Sequence, residues 1–136
     1  MGRVMVEVVV SNGLDVTDVE RGRLTPDKVR QVTLKGIADT GSTRLVLPES
    51  VARQLGLPPG GRIRIRLADG SLVVKELVKY AHVQYAGRSG LFTAIAEPNR
   101  SDALLGAIVM EDLDLIVDCP SGTLRPRDPA QLTAEA

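Results

Sequence analysis

The stretch Ile37-Ala38-Asp39-Thr40-Gly41-Ser42 decides how the rest of the chain is interpreted. It lies where one apolar run ends and a turn signal begins, and a second apolar run, Leu45-Val46-Leu47, follows at once. A strand end holds a carboxylate firmly, and a neighbouring glycine lets backbone N–H groups approach a charged oxygen closely. The same residue types are also ordinary turn residues between strands. Taken alone, Asp39-Thr40-Gly41 therefore does not identify a functional site.

The composition indicates one globular domain of 136 residues with no net charge. Seventeen basic and 17 acidic residues balance, which argues against nucleic acid or an anionic membrane as a partner. The single cysteine excludes an internal disulfide and fits a reducing compartment, and one cysteine with one histidine offers no metal cluster. We therefore expect a soluble, cytoplasmic protein without a metal or other cofactor.

The succession of apolar runs and turn residues predicts an all-β fold, a closed barrel or sandwich of seven to nine short strands with one or two helices. The best helix signal covers residues 48–56, where a proline opens the segment and a glycine ends it. A second, shorter helix is predicted at Thr25-Pro26-Asp27, with Thr25 as its cap. Residues 14–24 are charged and aperiodic, and we predict a loop there.

Two later segments carry further turn and strand signals. Asp69-Gly70 lies between two alternating runs, which predicts a hairpin with its tip at Ala68-Asp69-Gly70. Leu104-Leu105-Gly106 precedes a short amphipathic segment and a final hairpin. We predict one domain over residues 1–125 and a flexible tail over residues 126–136.

Four segments taken in this order, Ala38–Ser42, Gln54–Leu57, Ala68–Gly70 and Leu104–Gly106, resemble the retroviral-type (retropepsin-like) aspartic protease family in its bacterial single-domain form. The resemblance covers roughly residues 3–125. It implies a closed β-barrel of the retropepsin-like acid protease type with one or two short helices, and an aspartic endopeptidase activity.

The resemblance also implies the site residues. Asp39 is then the catalytic aspartate, and Thr40, Gly41 and Ser42 form the loop that holds it. The residues assigned to the flap and the substrate groove are Ala68, Asp69, Gly70, Leu104, Leu105 and Gly106. We further expect Leu45, Leu72 and Val73 to line the groove, which would favour extended apolar peptides as substrates.

Aspartic catalysis needs two close carboxylates that share one proton, because both cannot stay ionised at that separation. One carboxylate acts as the base for a water molecule, and its protonated partner donates a hydrogen bond to the substrate carbonyl. The chain has one Asp-Thr-Gly, so we expect the second carboxylate from a second copy of Asp39 in a homodimer. Ser42 is expected to donate to the outer oxygen of Asp39 and so favour an acidic working range.

Two other interpretations stay open. A weakly active or inactive peptide-binding or regulatory module is possible on the same fold, since Ala107 stands where many relatives have a polar residue that braces the dimer. A small-molecule or nucleic-acid-binding barrel is the other, because Arg62, Arg64 and Arg66 share one strand face.

The single histidine and the single cysteine have ordinary structural explanations. We expect His82 to be a surface or hydrogen-bonded histidine and not a catalytic base. Cys119 is expected to be a packed or edge thiol, because no histidine follows it to activate a nucleophile.

Overall fold

The computed structural model describes residues 3–134 and consists mainly of strands. The strands are β1 (Arg3–Asn12), β2 (Gln31–Asp39), β3 (Leu45–Pro48), β4 (Pro59–Arg66), β5 (Leu72–Tyr85), β6 (Arg88–Glu97), β7 (Ala103–Leu105), β8 (Leu115–Asp118) and β9 (Thr123–Pro126). The helices are α1 (Gly13–Glu20), α2 (Glu49–Gln54) and α3 (Ala107–Asp112), with a 3-10 turn at Pro26–Lys28. Within residues 3–134, every helix is too short or too polar to cross a membrane.

Six strands close into a barrel in the order β1, β2, β7, β3, β6 and β5. The pairs from Val9 with Gln84 to Asn12 with Ala81 join β1 to β5 and complete the ring. The β2–β7 and β3–β6 pairs are parallel, whereas the other neighbours are antiparallel. β4 extends the sheet beyond the ring by pairing with β5, and β8 and β9 form a separate hairpin. The predicted closed all-β barrel is confirmed.

The barrel core is aliphatic, as expected for a chain with so few aromatic residues. Val8 and Val10 of β1 are fully buried, and so are Leu45 and Leu47 of β3 and Leu105 of β7. Branched side chains of this kind pack well on the inner, pleated surface of a small barrel. The core therefore reaches directly beneath the ends of β2 and β7, where the candidate site lies.

Residues 14–24 were predicted to form a loop, and that prediction was wrong because they contain most of α1. Asn12 caps this helix: its Oδ1 accepts from the N–H groups of Leu14 at 2.9 Å and Asp15 at 3.1 Å. The Nδ2 of the same side chain donates to the Leu55 carbonyl oxygen at 2.8 Å, beyond the end of α2. The helix thus depends on a contact 43 residues away as well as on its own sequence.

The two predicted helix starts differ from the sequence expectation in detail. The segment after Thr25 forms only a 3-10 turn, and the Thr25 side chain makes no capping hydrogen bond. Pro48 is the N-cap of α2 and not its first helical residue. Gly56 follows the helix with φ +65°, the left-handed conformation that glycine adopts without steric cost.

Residues 126–134 are held by bonds to Asp114 and Arg88. The Asp114 carboxylate accepts from Arg127 Nε at 2.9 Å and from the N–H of Thr133 at 2.9 Å. Arg88 Nη1 donates to the Asp114 carbonyl oxygen at 3.0 Å, and its Nη2 donates to the Asp128 carbonyl oxygen. The domain boundary at residue 125 and the flexibility of the segment beyond it stay predictions.

Candidate active site

Asp39 is the last residue of β2, where the strand leaves the barrel wall. The preceding residue, Ala38, is completely buried and pairs with Leu105 of β7. The chain then turns sharply, and the N–H of Ser42 donates to the Asp39 carbonyl oxygen at 3.1 Å. A buried strand therefore fixes the backbone of Asp39, while its side chain remains 18% exposed at the barrel surface.

The loop after Asp39 is bonded to the segment that opens α3. The Ala107 N–H donates to the Ser42 carbonyl oxygen at 2.8 Å, and the Ile108 N–H donates to the Thr43 carbonyl oxygen at 2.9 Å. A β-carbon on Gly106 would lie 2.5 Å from the Thr43 carbonyl oxygen and 2.6 Å from that of Arg44. Real β-carbons do not approach backbone atoms so closely, so the loop can take this position only if residue 106 is glycine.

Both oxygens of the Asp39 carboxylate have hydrogen-bond donors. The Gly41 N–H donates to Oδ1 at 2.9 Å, and Arg3 Nε donates to Oδ2 at 3.1 Å. The Gly41 hydrogen bond is the main cause that lowers the pKa of Asp39 below its ordinary value, and burial opposes it. Arg3 and the Ser42 hydroxyl lower the pKa further. These donors all favour the ionised form of Asp39.

Arg3 is the contact that the sequence reasoning missed. It lies 36 residues before Asp39, and the register of β1 and β2 places the two residues opposite each other. A local motif search could not find it. The sequence does show the two apolar runs that form β1 and β2. Their antiparallel pairing places Arg3 opposite Asp39 only when the exact register is known.

The tip of the β4–β5 hairpin, residues 67–71, stands away from the barrel wall. Ala68, Asp69 and Gly70 are exposed, and Gly70 has φ +87°. Within residues 3–134, the hydrogen bonds of the tip run inside the hairpin, from Gly70 N–H to the Leu67 carbonyl oxygen at 2.9 Å and from Leu67 N–H to the Ser71 carbonyl oxygen at 2.8 Å. The predicted hairpin is present, but among the described residues no hydrogen bond holds its tip over Asp39.

The segment Leu104–Gly106 lies directly beside the Asp39 loop. Leu104 pairs with Ile37 and is half-buried, whereas Leu105 and Gly106 are buried. The structure thus brings this segment and residues 39–42 together and leaves the hairpin tip apart from both. Leu45 was expected to line the groove, and this was wrong because it is 1% exposed and belongs to the core.

An open cleft of about 770 Å³ lies on the other side of the loop, and the sequence did not predict it. Thr40 forms part of its rim. The remaining lining residues belong to α3, the β8 region and the C-terminal segment, among them Met110, Leu115 and Arg127. The cleft includes neither Asp39 nor the hairpin tip, so it is distinct from the predicted substrate groove.

Other candidate residues have structural explanations. Arg62 pairs with Glu76 at 3.1 Å and Arg66 donates to the Gly70 carbonyl oxygen at 3.3 Å, so two of the three arginines on this face are engaged within the hairpin. His82 is half-buried with its Nδ1 lacking a hydrogen-bond partner among residues 3–134, which contradicts the expected surface or hydrogen-bonded histidine. Burial lowers its pKa. Cys119 is exposed at the β8–β9 turn.

Among residues 3–134, no group of three or more histidine, cysteine or acidic side chains is placed to bind a metal ion. The chemistry that the site offers is therefore that of a single carboxylate held by backbone and side-chain donors on an anchored loop. Such a group can act as a base, or as half of a carboxylate pair.

A family model described as aspartyl protease matches residues 25–109, more than half of the chain. The chain belongs to the aspartyl protease family. The match spans the Asp39 loop, the β4–β5 hairpin and the Leu104–Gly106 segment of this aspartyl protease. The retropepsin-like resemblance expected from the sequence is confirmed at the level of the family.

Among solved structures, the protein is similar to one entitled "Solution structure of Simian Foamy Virus (mac) protease". The two share 22% identity with a TM-score of 0.46, over 57% of this chain and 80% of the viral one. No curated protein matches the sequence.

Proposed function

We propose that this protein is an aspartic endopeptidase that works as a homodimer, with one Asp39 from each subunit. The observation that carries the proposal is the anchoring of Asp39. Its carboxylate is oriented by Gly41 at 2.9 Å, on a loop that is itself bonded to the start of α3. Catalytic groups held this firmly need little reorganisation during the reaction, which is the main source of an enzyme's electrostatic advantage.

The second carboxylate is supplied by symmetry in this proposal. The groups that contact the Asp39 carboxylate within residues 3–134 are Gly41, Arg3 and Ser42, and none of them is acidic. The loop residues Thr40, Gly41 and Thr43 are exposed in the single subunit, so a second copy can approach along a two-fold axis. In this proposal the Thr40 hydroxyl helps to hold the two loops together.

Each residue then has a defined chemical part. One Asp39 carboxylate takes a proton from the attacking water, while the protonated partner donates a hydrogen bond to the peptide carbonyl oxygen. Each Gly41 N–H holds the carboxylate of its own subunit in a fixed orientation relative to the loop. The β4–β5 hairpins close over an extended peptide, with Ala68, Asp69 and Gly70 at the tip of each flap.

The substitution Asp39→Asn tests the proposal, because it keeps the size of the side chain and removes the base. We expect peptide cleavage to fall by roughly a thousandfold or more, with no loss of the fold by circular dichroism. Asp128→Asn is the matched control and should leave cleavage unchanged, since Asp128 lies outside the proposed site and accepts a comparable backbone hydrogen bond from Ala130 at 2.8 Å. Cleavage that survives in the Asp39 variant would exclude an aspartic mechanism.

Mixing the two proteins tests whether the site is shared. Excess Asp39→Asn subunits should trap wild-type chains in dimers with one catalytic carboxylate, so the cleavage rate per wild-type chain falls. A rate that is unaffected by the variant would mean that each chain acts alone. Sedimentation over a concentration series separates the remaining alternative, because a strict monomer could bind peptides on this fold but could not assemble the carboxylate pair.

A further inference from the structure

Arg3 occupies the outer oxygen of the carboxylate that the proposed reaction uses. Nine consecutive residue pairs, from Arg3 with Asp39 to Ser11 with Gln31, fix the register of β1 and β2 and bring the guanidinium to Oδ2 at 3.1 Å. The Arg3 side chain is 68% exposed, so it can also turn into solvent at little energetic cost. The contact is therefore placed by the fold but is releasable.

Few other charges act on this carboxylate. Arg44 ends the same loop, and Glu111 of α3 lies on the cleft beside Thr40. Asp114 and Arg127 line that cleft too, but they pair with each other at 2.9 Å. The residues of β7 beside β2 are the uncharged Ala103 and Leu104. Arg3 is the cation in direct contact with Asp39 within residues 3–134.

A cation at this position changes how a carboxylate pair takes up protons. Two close carboxylates retain one shared proton at acidic pH, because they repel each other when both are ionised, and lose it as the pH rises. Two arginines, one beside each carboxylate, offset that repulsion and stabilise the doubly ionised pair. A doubly ionised pair lacks the proton that must be donated to the substrate carbonyl, and it is inactive.

We propose that Arg3 is an electrostatic gate on the catalytic carboxylate: by stabilising the doubly ionised pair, it lowers the pH above which cleavage is lost. The inference rests on the proposed function, because it concerns the protonation of the same pair. When acid supplies the shared proton, the interaction between Arg3 and Oδ2 weakens and the pair becomes competent. The reaction needs no further group, since the proton comes from solvent.

The pH dependence of cleavage tests the gate. In Arg3→Gln, we expect the alkaline limb of kcat/KM to move upward by roughly half to one pH unit, which corresponds to about three- to tenfold faster cleavage near neutral pH. Arg3→Lys keeps the charge and should restore the wild-type profile. Arg23→Gln removes an exposed arginine on the loop after α1 and should leave the profile unchanged. Superimposable wild-type and Arg3→Gln profiles would overturn the proposal.

A titration of the carboxyl carbons by 13C NMR tests the contact without any cleavage assay. The Asp39 signal is assigned by its loss in Asp39→Asn, and Asp69 serves as an internal reference in the same protein. Removing the cation in Arg3→Gln should raise the midpoint for Asp39 and leave that for Asp69 in place. An unchanged Asp39 midpoint would refute the gate.

The two measurements separate failure of the gate from failure of the proposed function. If Asp39→Asn abolishes cleavage but Arg3→Gln moves neither midpoint nor profile, the aspartic mechanism stands and the gate does not. If cleavage survives in Asp39→Asn, the proposed function fails together with the gate that rests on it. A midpoint shift in Arg3→Gln would then support the ion pair alone.

Discussion

The loop at residues 39–43 and the hairpin tip at residues 67–71 share the same local hydrogen-bond arrangement. In each, an aspartate Oδ1 accepts a backbone N–H two residues further on at 2.9 Å, from Gly41 in one turn and from Ser71 in the other. The pKa of Asp39 is lowered mainly by Gly41, and the pKa of Asp69 mainly by the Ser71 hydroxyl. At this level, the two turns are nearly equivalent.

They differ in what lies behind them. The first turn rests against the backbone of Gly106 and accepts hydrogen bonds from Ala107 and Ile108. The second has open space around Gly70: no atom of residues 3–134 lies within 4 Å of the place where a β-carbon would be, and its hydrogen bonds stay inside the hairpin. A turn that contains aspartate and glycine thus becomes a candidate for chemistry through the element packed against it, and not through its own residues.

The largest effect that separates the two turns is expected from adding one methyl group to each. Gly106→Ala forces a β-carbon against the Thr43 and Arg44 carbonyl oxygens, so we expect a loss of about 3 kcal/mol in the free energy of unfolding. Displacing the loop should also lower cleavage by about a hundredfold. Gly70→Ala meets open space and only the backbone cost of φ +87°, about 1 kcal/mol.

Urea unfolding and kcat/KM measured on both glycine variants check this prediction. Equal losses of unfolding free energy in the two variants would show that the Asp39 loop is no better anchored than the hairpin tip. Wild-type cleavage in a folded Gly106→Ala protein would contradict the structural account of the loop.

Hydrogen exchange should reveal an intermediate difference in the unsubstituted protein. The amides of Ala107 and Ile108, bonded to the Asp39 loop, are expected to exchange at least about tenfold more slowly than those of Gly70 and Ser71, since exposed tips open without disturbing the core. Exchange followed residue by residue by NMR measures this directly. Similar rates at both places would mean that the loop opens as freely as the tip.

The smallest effect is the one that the turns share. Because the pKa values of Asp39 and Asp69 are lowered from 3.8 in the folded protein, each carboxylate stabilises the fold above that pH. The contribution is lost as the pH falls through the folded-state value, since the unfolded chain then binds more protons. The urea midpoint of the wild type should therefore fall slightly more between pH 5 and 2 than that of Asp39→Asn or Asp69→Asn. If the urea midpoints of the variants fall as steeply with pH as that of the wild type, the two carboxylates are not the source of this pH dependence.

The sequence predicts local turns and strand patterns well here because each is specified by neighbouring residues. Asp39-Thr40-Gly41 and Asp69-Gly70 both form turns at the predicted places, and the barrel follows from the alternation of apolar runs. The family match includes both turns and the Leu104–Gly106 segment. The assignment of Asp39 as catalytic stays a prediction.

What the sequence did not predict depends on distant contacts. The N-cap of α1 is Asn12, whose side chain is held by the carbonyl oxygen of Leu55. Because that contact is not visible in the local sequence, the charged stretch after Asn12 was predicted to be a loop. The Arg3–Asp39 ion pair depends on a strand register that no local pattern specifies. Leu45 was predicted to line the groove as an apolar position near the flap or Leu104, but its side chain lies in the barrel core.

The seven-stranded sheet also has an open edge, since β4 pairs with β5 alone within residues 3–134. An unpaired edge can recruit the strand of another molecule and start aggregation. β4 carries Arg62, Arg64 and Arg66 on one face, and its pairing is irregular between Pro59 and Gly61. Charged side chains and irregular pairing of this kind discourage edge-to-edge association. The arginine stripe therefore helps to keep a protein without net charge from associating through this edge.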